Sequence, residues 1–105
     1  MPIIEQAIWC YGNIAGENYQ LRDQVLAEQV VEPMAAILDN TETDSESQRN
    51  IAWCLSNFMK GDDHPPDLQI VAPAVPSLVR TLIRSSRKEI LSDIIWAFSY
   101  FTQEA

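Results

Sequence analysis

Apolar positions along the chain recur at helical spacings. Ile51, Leu55, Phe58 and Met59 step by threes and fours, and so do Ile90, Ile94, Ala97, Phe98 and Phe101. No useful length of period-two alternation interrupts them, so the chain reads as all-α. The pattern predicts helices over about 3–15, 19–27, 33–39, 46–60, 76–84 and 87–102, with a short turn near 68–71. Polar or Pro-rich stretches at 40–44 and 61–67 separate them. Ser45 with Gln48, and Ser86 with Glu89, make capping-box patterns ahead of two helices. Pro33 and Pro76 suit first turns, where a missing N–H costs nothing. Gly16 and Gly61 suit helix stops.

A repeat overlies this periodicity. Ile8-Trp9-Cys10-Tyr11-Gly12-Asn13, Ala52-Trp53-Cys54-Leu55-Ser56-Asn57 and Ile95-Trp96-Ala97-Phe98-Ser99-Tyr100 resemble one another, with their tryptophans 44 and 43 residues apart. Pro33 and Pro76 keep the same step of 43. A period in the low forties fits a helical solenoid of two or three helices per repeat. The chain then reads as one segment, 1–105: residues 1–16 are the final helix of one repeat, 17–61 a second repeat and 62–105 a third. Each repeat buries a face against its neighbour, and no polar capping repeat is recognisable. The outer faces of the first and last helices are therefore expected to be apolar and uncovered. That suits a slice of a longer solenoid, or a protein that associates through its ends.

On a helix, positions i−3, i and i+4 share a face. Each Trp helix thus carries a stripe: Gln6-Trp9-Asn13, Asn50-Trp53-Asn57 and Asp93-Trp96-Tyr100. A helical Trp is most often core. Small neighbours at packing positions (Cys10, Ala52, Cys54, Ala97) and amides on both sides of the indole favour instead a surface that grips a ligand, because buried amides need partners. A carboxamide can bracket a peptide N–H and C=O without reading sequence. Slots between indoles suit the stem and cation of Lys or Arg, with carboxylates at the slot ends selecting positive charge. Helices packed about 8–10 Å apart give three rungs a span of about 16–20 Å. That matches about five or six residues of extended chain.

Composition narrows the class. The 105 residues are 47% hydrophobic and 21% charged, as in an ordinary folded domain. Lys and Arg number 7 against 15 Asp and Glu, a net charge of −8, which disfavours nucleic acid and anionic lipid and favours a basic partner. No apolar run approaches the roughly 18–20 residues of a membrane span. Met1-Pro2-Ile3-Ile4-Glu5 lacks the basic region of a secretory signal. Cys10 and Cys54 make neither a disulfide framework nor a zinc quartet, consistent with a soluble protein of a reducing compartment, and equivalent packing explains their shared position. His64 has no Cys or second His at metal spacing. No phosphate loop, nucleophile elbow or metal motif is present, so no enzyme activity, cofactor or metal is expected. Asp62, Asp63 and Asp67 read as a solvated loop, and Arg87-Lys88 as a solvent-facing helix start. Glu17 follows a Trp helix on the ladder side and reads as functional.

The combined motif resembles importin alpha (karyopherin alpha), the armadillo-repeat adaptor of nuclear import. Glu5-Gln6-Ala7-Ile8-Trp9 through Gly12-Asn13-Ile14-Ala15-Gly16 is similar to that family's third-repeat motif. Arg49-Asn50-Ile51-Ala52-Trp53-Cys54-Leu55-Ser56-Asn57 is similar to the fourth, and Asp93-Ile94-Ile95-Trp96-Ala97-Phe98-Ser99-Tyr100 to the fifth, where Tyr replaces Asn. Pro65-Pro66, then Pro73-Ala74-Val75-Pro76-Ser77-Leu78, fits the passage between the last two.

The resemblance implies a right-handed armadillo-repeat superhelical solenoid fragment of about two and a third repeats. It also implies binding of basic nuclear localisation signal peptides in an antiparallel, extended form. Trp9, Trp53 and Trp96 would wall the slots and Asn13 and Asn57 would clamp the backbone, with Tyr100 in the Asn position of the last rung. Gln6, Asn50 and Asp93 would flank them, and Glu17 stands where the family has a lysine-binding aspartate. Lys60 stands where the fourth repeat usually has Arg. The implied partners are Lys/Arg-rich cargo peptides, with importin beta reached only through regions absent from this chain. The implied location is shuttling between cytoplasm and nucleus. The second repeat's part of the main pocket and the minor site also lie outside the chain, so a complete adaptor is not expected. The alternative is a structural armadillo segment that assembles through its end helices without binding signals.

Overall fold

The computed structural model describes residues 3–60 and 63–103. Its helices are α1 (Ile3–Glu17), α2 (Tyr19–Leu26), α3 (Val31–Asp39), α4 (Ser45–Met59), α5 (Leu68–Val71), α6 (Ala74–Arg84) and α7 (Lys88–Gln103). No strand occurs among the described residues. The Trp helices α1, α4 and α7 stand side by side in one layer, with α4 between the other two. Helices α3 and α6 pair with each other in a second layer behind them, and α2 packs against α1.

The central place of α4 follows from its sequence. Ile51, Ala52, Cys54, Leu55, Phe58 and Met59 are each no more than 1% exposed. They meet Ile8 and Ala15 of α1 on one side and Ile90, Ile94 and Ala97 of α7 on the other, in one continuous core with Met34, Leu38 and Leu78 of the back layer. Full burial of each large aliphatic or aromatic side chain stabilises the fold by about 1.5–3 kcal/mol.

The helix ends depart from expectation by a residue or two. Helix α4 is capped by Asp44, whose carboxylate accepts the Ser47 N–H at 2.9 Å, so Ser45 is its first residue rather than its cap. Hydrogen bonding from Ser47 holds the Asp44 carboxyl below its ordinary value. Ser86 lies outside α7, where the Leu91 N–H bonds the Arg87 carbonyl at 3.0 Å instead. Pro33 and Pro76 occupy the same place, the third residue of α3 and of α6. An N–H there has no intrahelical acceptor, so losing it costs little. Gly16 lies inside α1, which runs on to Glu17 before Asn18 caps α2. Gly61 and Asp62 lie outside the described residues, so the helix stop expected at Gly61 does too.

Arginines fasten helix ends to neighbouring helices. Arg22 of α2 is 3% exposed and donates from Nη1 to the Lys60 carbonyl at 2.8 Å, closing the end of α4. Arg84 of α6 donates to the carbonyls of Leu38 (2.9 Å) and Asp39 (3.3 Å), closing the end of α3. Arg80 grips the Asp39 carboxylate through two bonds of 3.0 and 2.7 Å, and the Ser77 hydroxyl adds a third at 2.8 Å. The bonded Arg80 guanidinium holds the Asp39 carboxyl below the ordinary carboxylate value.

The two side faces of the stack are apolar, as the repeat pattern implies. On α6 and α7, Val79, Ile83 and Ile95 are exposed. At the other side, Ala7, Ile8, Tyr11, Val30, Met34 and Ile37 line an open apolar cleft of about 240 Å³ between α1 and α3.

Candidate peptide-binding site

The ladder is built by close approach of α4 to α1. A Cβ on Gly12 would lie 2.3 Å from Cζ3 of Trp53, so a hydrogen atom is all that position can carry. One turn on, a Cβ at Gly16 would lie 3.2 Å from the Asn57 Nδ2. That nitrogen donates to the Gly12 carbonyl at 3.0 Å. The middle rung is thus seated against the helix face that carries Trp9 and Asn13. The same register recurs one repeat later. Lys60, the C-cap of α4, occupies the repeat position of Gly16 and Tyr100 of α7 that of Asn57, and the Lys60 Nζ stands 5.9 Å from the Tyr100 ring centre. The α7 rung therefore seats against α4 as α4 seats against α1.

The three rungs differ in exposure. Trp9 is 51% and Trp96 56% exposed, whereas Trp53 is half-buried. Trp96 stacks on Tyr100, with ring centres 5.9 Å apart and planes at 26°. Asn13 is exposed, but Asn57 is buried. The two asparagines, expected as equivalent clamps, are therefore not equivalent. Asn57 spends a donor on the fold, and the buried amide finds its partner in a backbone carbonyl of the neighbouring helix. The two cysteines differ for the same reason: Cys54 is buried between helices, where burial pushes its thiol up, while Cys10 is exposed.

At the i−3 positions, Gln6 is exposed and Asn50 and Asp93 are half-buried. Burial pushes the Asp93 carboxyl above its ordinary value, and the charge of Arg49 on α4 partly opposes this. Glu5, one turn before Trp9, accepts a hydrogen bond from the Ser47 hydroxyl and ties α1 to α4 beside the ladder. Glu17 is exposed and borders a hollow of about 350 Å³ that Asn57, Lys60, Asp63, Arg22 and His64 also line. Tyr19 stacks on His64 at 3.8 Å along one wall. Glu17 and Asn57 are thus brought together, with cations of the protein in the same hollow. Asp67 caps α5 by accepting the Gln69 N–H at 2.9 Å. A larger cavity of about 640 Å³ lies elsewhere, bordered by Leu26, Val31, Pro33, Ile70 and Pro73, and it contains no ladder residue. Among the described residues no group of three His, Cys, Asp or Glu is placed to hold a metal. Nor is any described helix long and apolar enough to cross a membrane.

The stripe pattern did not single out Gly12, Gly16, Arg49 or Lys60. The missing signal was relational. Only aligning the repeats against each other shows that Gly16 in one becomes Lys60 in the next.

No protein-family model matches the chain. Individual relatives do. The chain is 43% identical over 98 residues to importin subunit alpha-2 of Arabidopsis thaliana, covering 93% of this chain and 18% of that protein. It is 43% identical over 98 residues, with the same coverage, to importin subunit alpha-1a of Oryza sativa. It is 33% identical over 111 residues to probable importin subunit alpha-A of Dictyostelium discoideum, covering 91% of this chain and 20% of that one. Its repeats belong to the importin alpha family. The two-layer stack is accordingly an importin alpha armadillo-repeat segment, and it spans about a fifth of the length of the relatives it matches.

Proposed function

We propose that this importin alpha segment binds basic nuclear localisation signal peptides, extended along the ladder of α1, α4 and α7, as part of a nuclear-import adaptor. The observation that carries the reading is the exposed Trp9 and Asn13 beside a Trp53 and Asn57 rung that Gly12 and Gly16 admit to the same face. An exposed indole attracts an alkylammonium by about 0.5–1 kcal/mol, and each backbone bond to an amide adds about 0.5–1.5 kcal/mol. Glu17 and Asp93 supply the negative charge at the groove. On this reading the adaptor shuttles between cytoplasm and nucleus and meets importin beta through parts outside this chain. Calorimetric titration with hexalysine at low salt tests it. Saturable binding that weakens as salt rises supports it, and heats no larger than those from hexaglutamate defeat it.

A second reading rests on the apolar side faces. Ile83, at 79% exposed, and Ile95, at 59%, suit assembly through α6 and α7 without signal binding. Sedimentation should then show a concentration-dependent oligomer that Ile83→Lys dissolves, whereas a strict monomer at high concentration removes this reading.

A further inference from the structure

The third rung differs from the second in one respect that neither the stripe pattern nor the proposed function uses. Where Asn57 meets Gly16, which leaves room for it, Tyr100 meets Lys60. The Lys60 ammonium stands 5.9 Å over the Tyr100 ring, and that ring stacks on Trp96. Lys60 is exposed, and its side chain forms no ion pair among those observed for the described residues. At the other end of the same rung, Arg49 of α4 lies close enough to Asp93 to act on its carboxyl.

We propose that Lys60 is a tethered competitor at the Trp96–Tyr100 platform, occupying the cation position of the third rung and so confining the cationic side chains of a bound peptide to the rungs of Trp9 and Trp53. The proposal rests on the peptide-binding reading above and makes it more specific. An aromatic face attracts an ammonium through its quadrupole, whatever chain the ammonium belongs to. A lysine already tethered there needs no association entropy, so it excludes an incoming one by occupancy and by like charge. The position is reached only because α4 and α7 pack in the register that places residue 60 against residue 100.

The test compares Lys60→Met with the unaltered chain, using acetylated, amidated hexalysine as the probe. An exposed cation–π contact corresponds to a factor of about two to five in affinity. Lys60→Met should tighten hexalysine binding by about that factor, and Trp96→Phe in the same variant should reverse part of the gain. Lys88→Met is the charge control. Lys88 sits at the far end of α7, about 18 Å along the helix from Tyr100 at 1.5 Å per residue, and its removal should leave affinity unchanged. Equal gains from both Lys variants would overturn the proposal, since general charge would explain them. Equal affinity of Lys60→Met and the unaltered chain would also overturn it while leaving the peptide-binding reading intact. Absence of binding by either chain would remove that reading and this inference with it. A cargo-independent check is the proton resonance of the Lys60 ε-methylene. It should be shifted upfield by the Tyr100 ring and return on Tyr100→Leu; an unshifted resonance contradicts the contact.

Discussion

Asn13 and Asn57 occupy the same repeat position, yet one is exposed and the other buried with its Nδ2 on the Gly12 carbonyl. Their substitutions should separate accordingly. Asn13→Ala should leave thermal stability within about 0.5 kcal/mol, as for a surface change. Asn57→Ala should cost about 0.5–1.5 kcal/mol, because the bond from its Nδ2 to the Gly12 carbonyl is lost. Equal losses by denaturant unfolding would contradict the asymmetry. Gly12→Ala forces a Cβ into the Trp53 ring and should cost about 1–3 kcal/mol; an unchanged melting temperature would show that the indole can move aside. The ladder residues themselves were legible, because Trp and Asn recur at one period. Their burial was not, since it depends on which helix lies alongside. Trp53 and Asn57 have α1 against them, and a sequence stripe carries no record of that neighbour. A combined Trp53→Ala and Asn57→Ala variant is for this reason a poor binding probe: it removes packing along with any contact to the proposed peptide.

Helix identities and their order follow the apolar spacing closely, and helix ends do not. Asp44 takes the cap of α4 because its carboxylate reaches the Ser47 N–H, which a reading based on Ser45 and Gln48 misses by one residue. The arginine fastenings between helices were also hidden, since they join residues some forty positions apart, through backbone carbonyls or the Asp39 carboxylate. The Asp39 site shows what they contribute. Asp39 is partly exposed, so solvent weakens its pairing with Arg80, and Asp39→Asn should cost about 1 kcal/mol at neutral pH. Its pH dependence has a fixed sign. The folded carboxyl titrates below its ordinary value of 3.8, so its stabilisation is complete above that value. The stabilisation is lost as pH falls through the lower folded value. The stability gap between the unaltered chain and Asp39→Asn should therefore close in acid, and a gap that widened there would contradict the pairing.

At the scale of the molecule, the net charge of −8 fits a basic partner without placing it. The structure sharpens this by setting Glu17 and Asp93 beside the ladder while Lys60 and Arg49 stand against its last rung. The charge beside the ladder is thus local and of both signs. The solenoid architecture was readable from a period of 43–44 residues, because each unit must bury a face on the next. The register that packs residue 60 against residue 100 was not, since it emerges only when helices are stacked. Trp9 is the cleanest probe of the ladder, being half exposed and outside the tight α1–α4 contact at Gly12. The most direct measurement is a tryptophan fluorescence titration with a lysine-rich peptide at low salt, run in parallel on the unaltered chain and on Trp9→Ala. A peptide-binding ladder gives saturable fluorescence change in the unaltered chain and about a two- to fivefold weaker affinity without loss of folding in Trp9→Ala. No fluorescence change at millimolar peptide, or the same affinity in both chains, would contradict it.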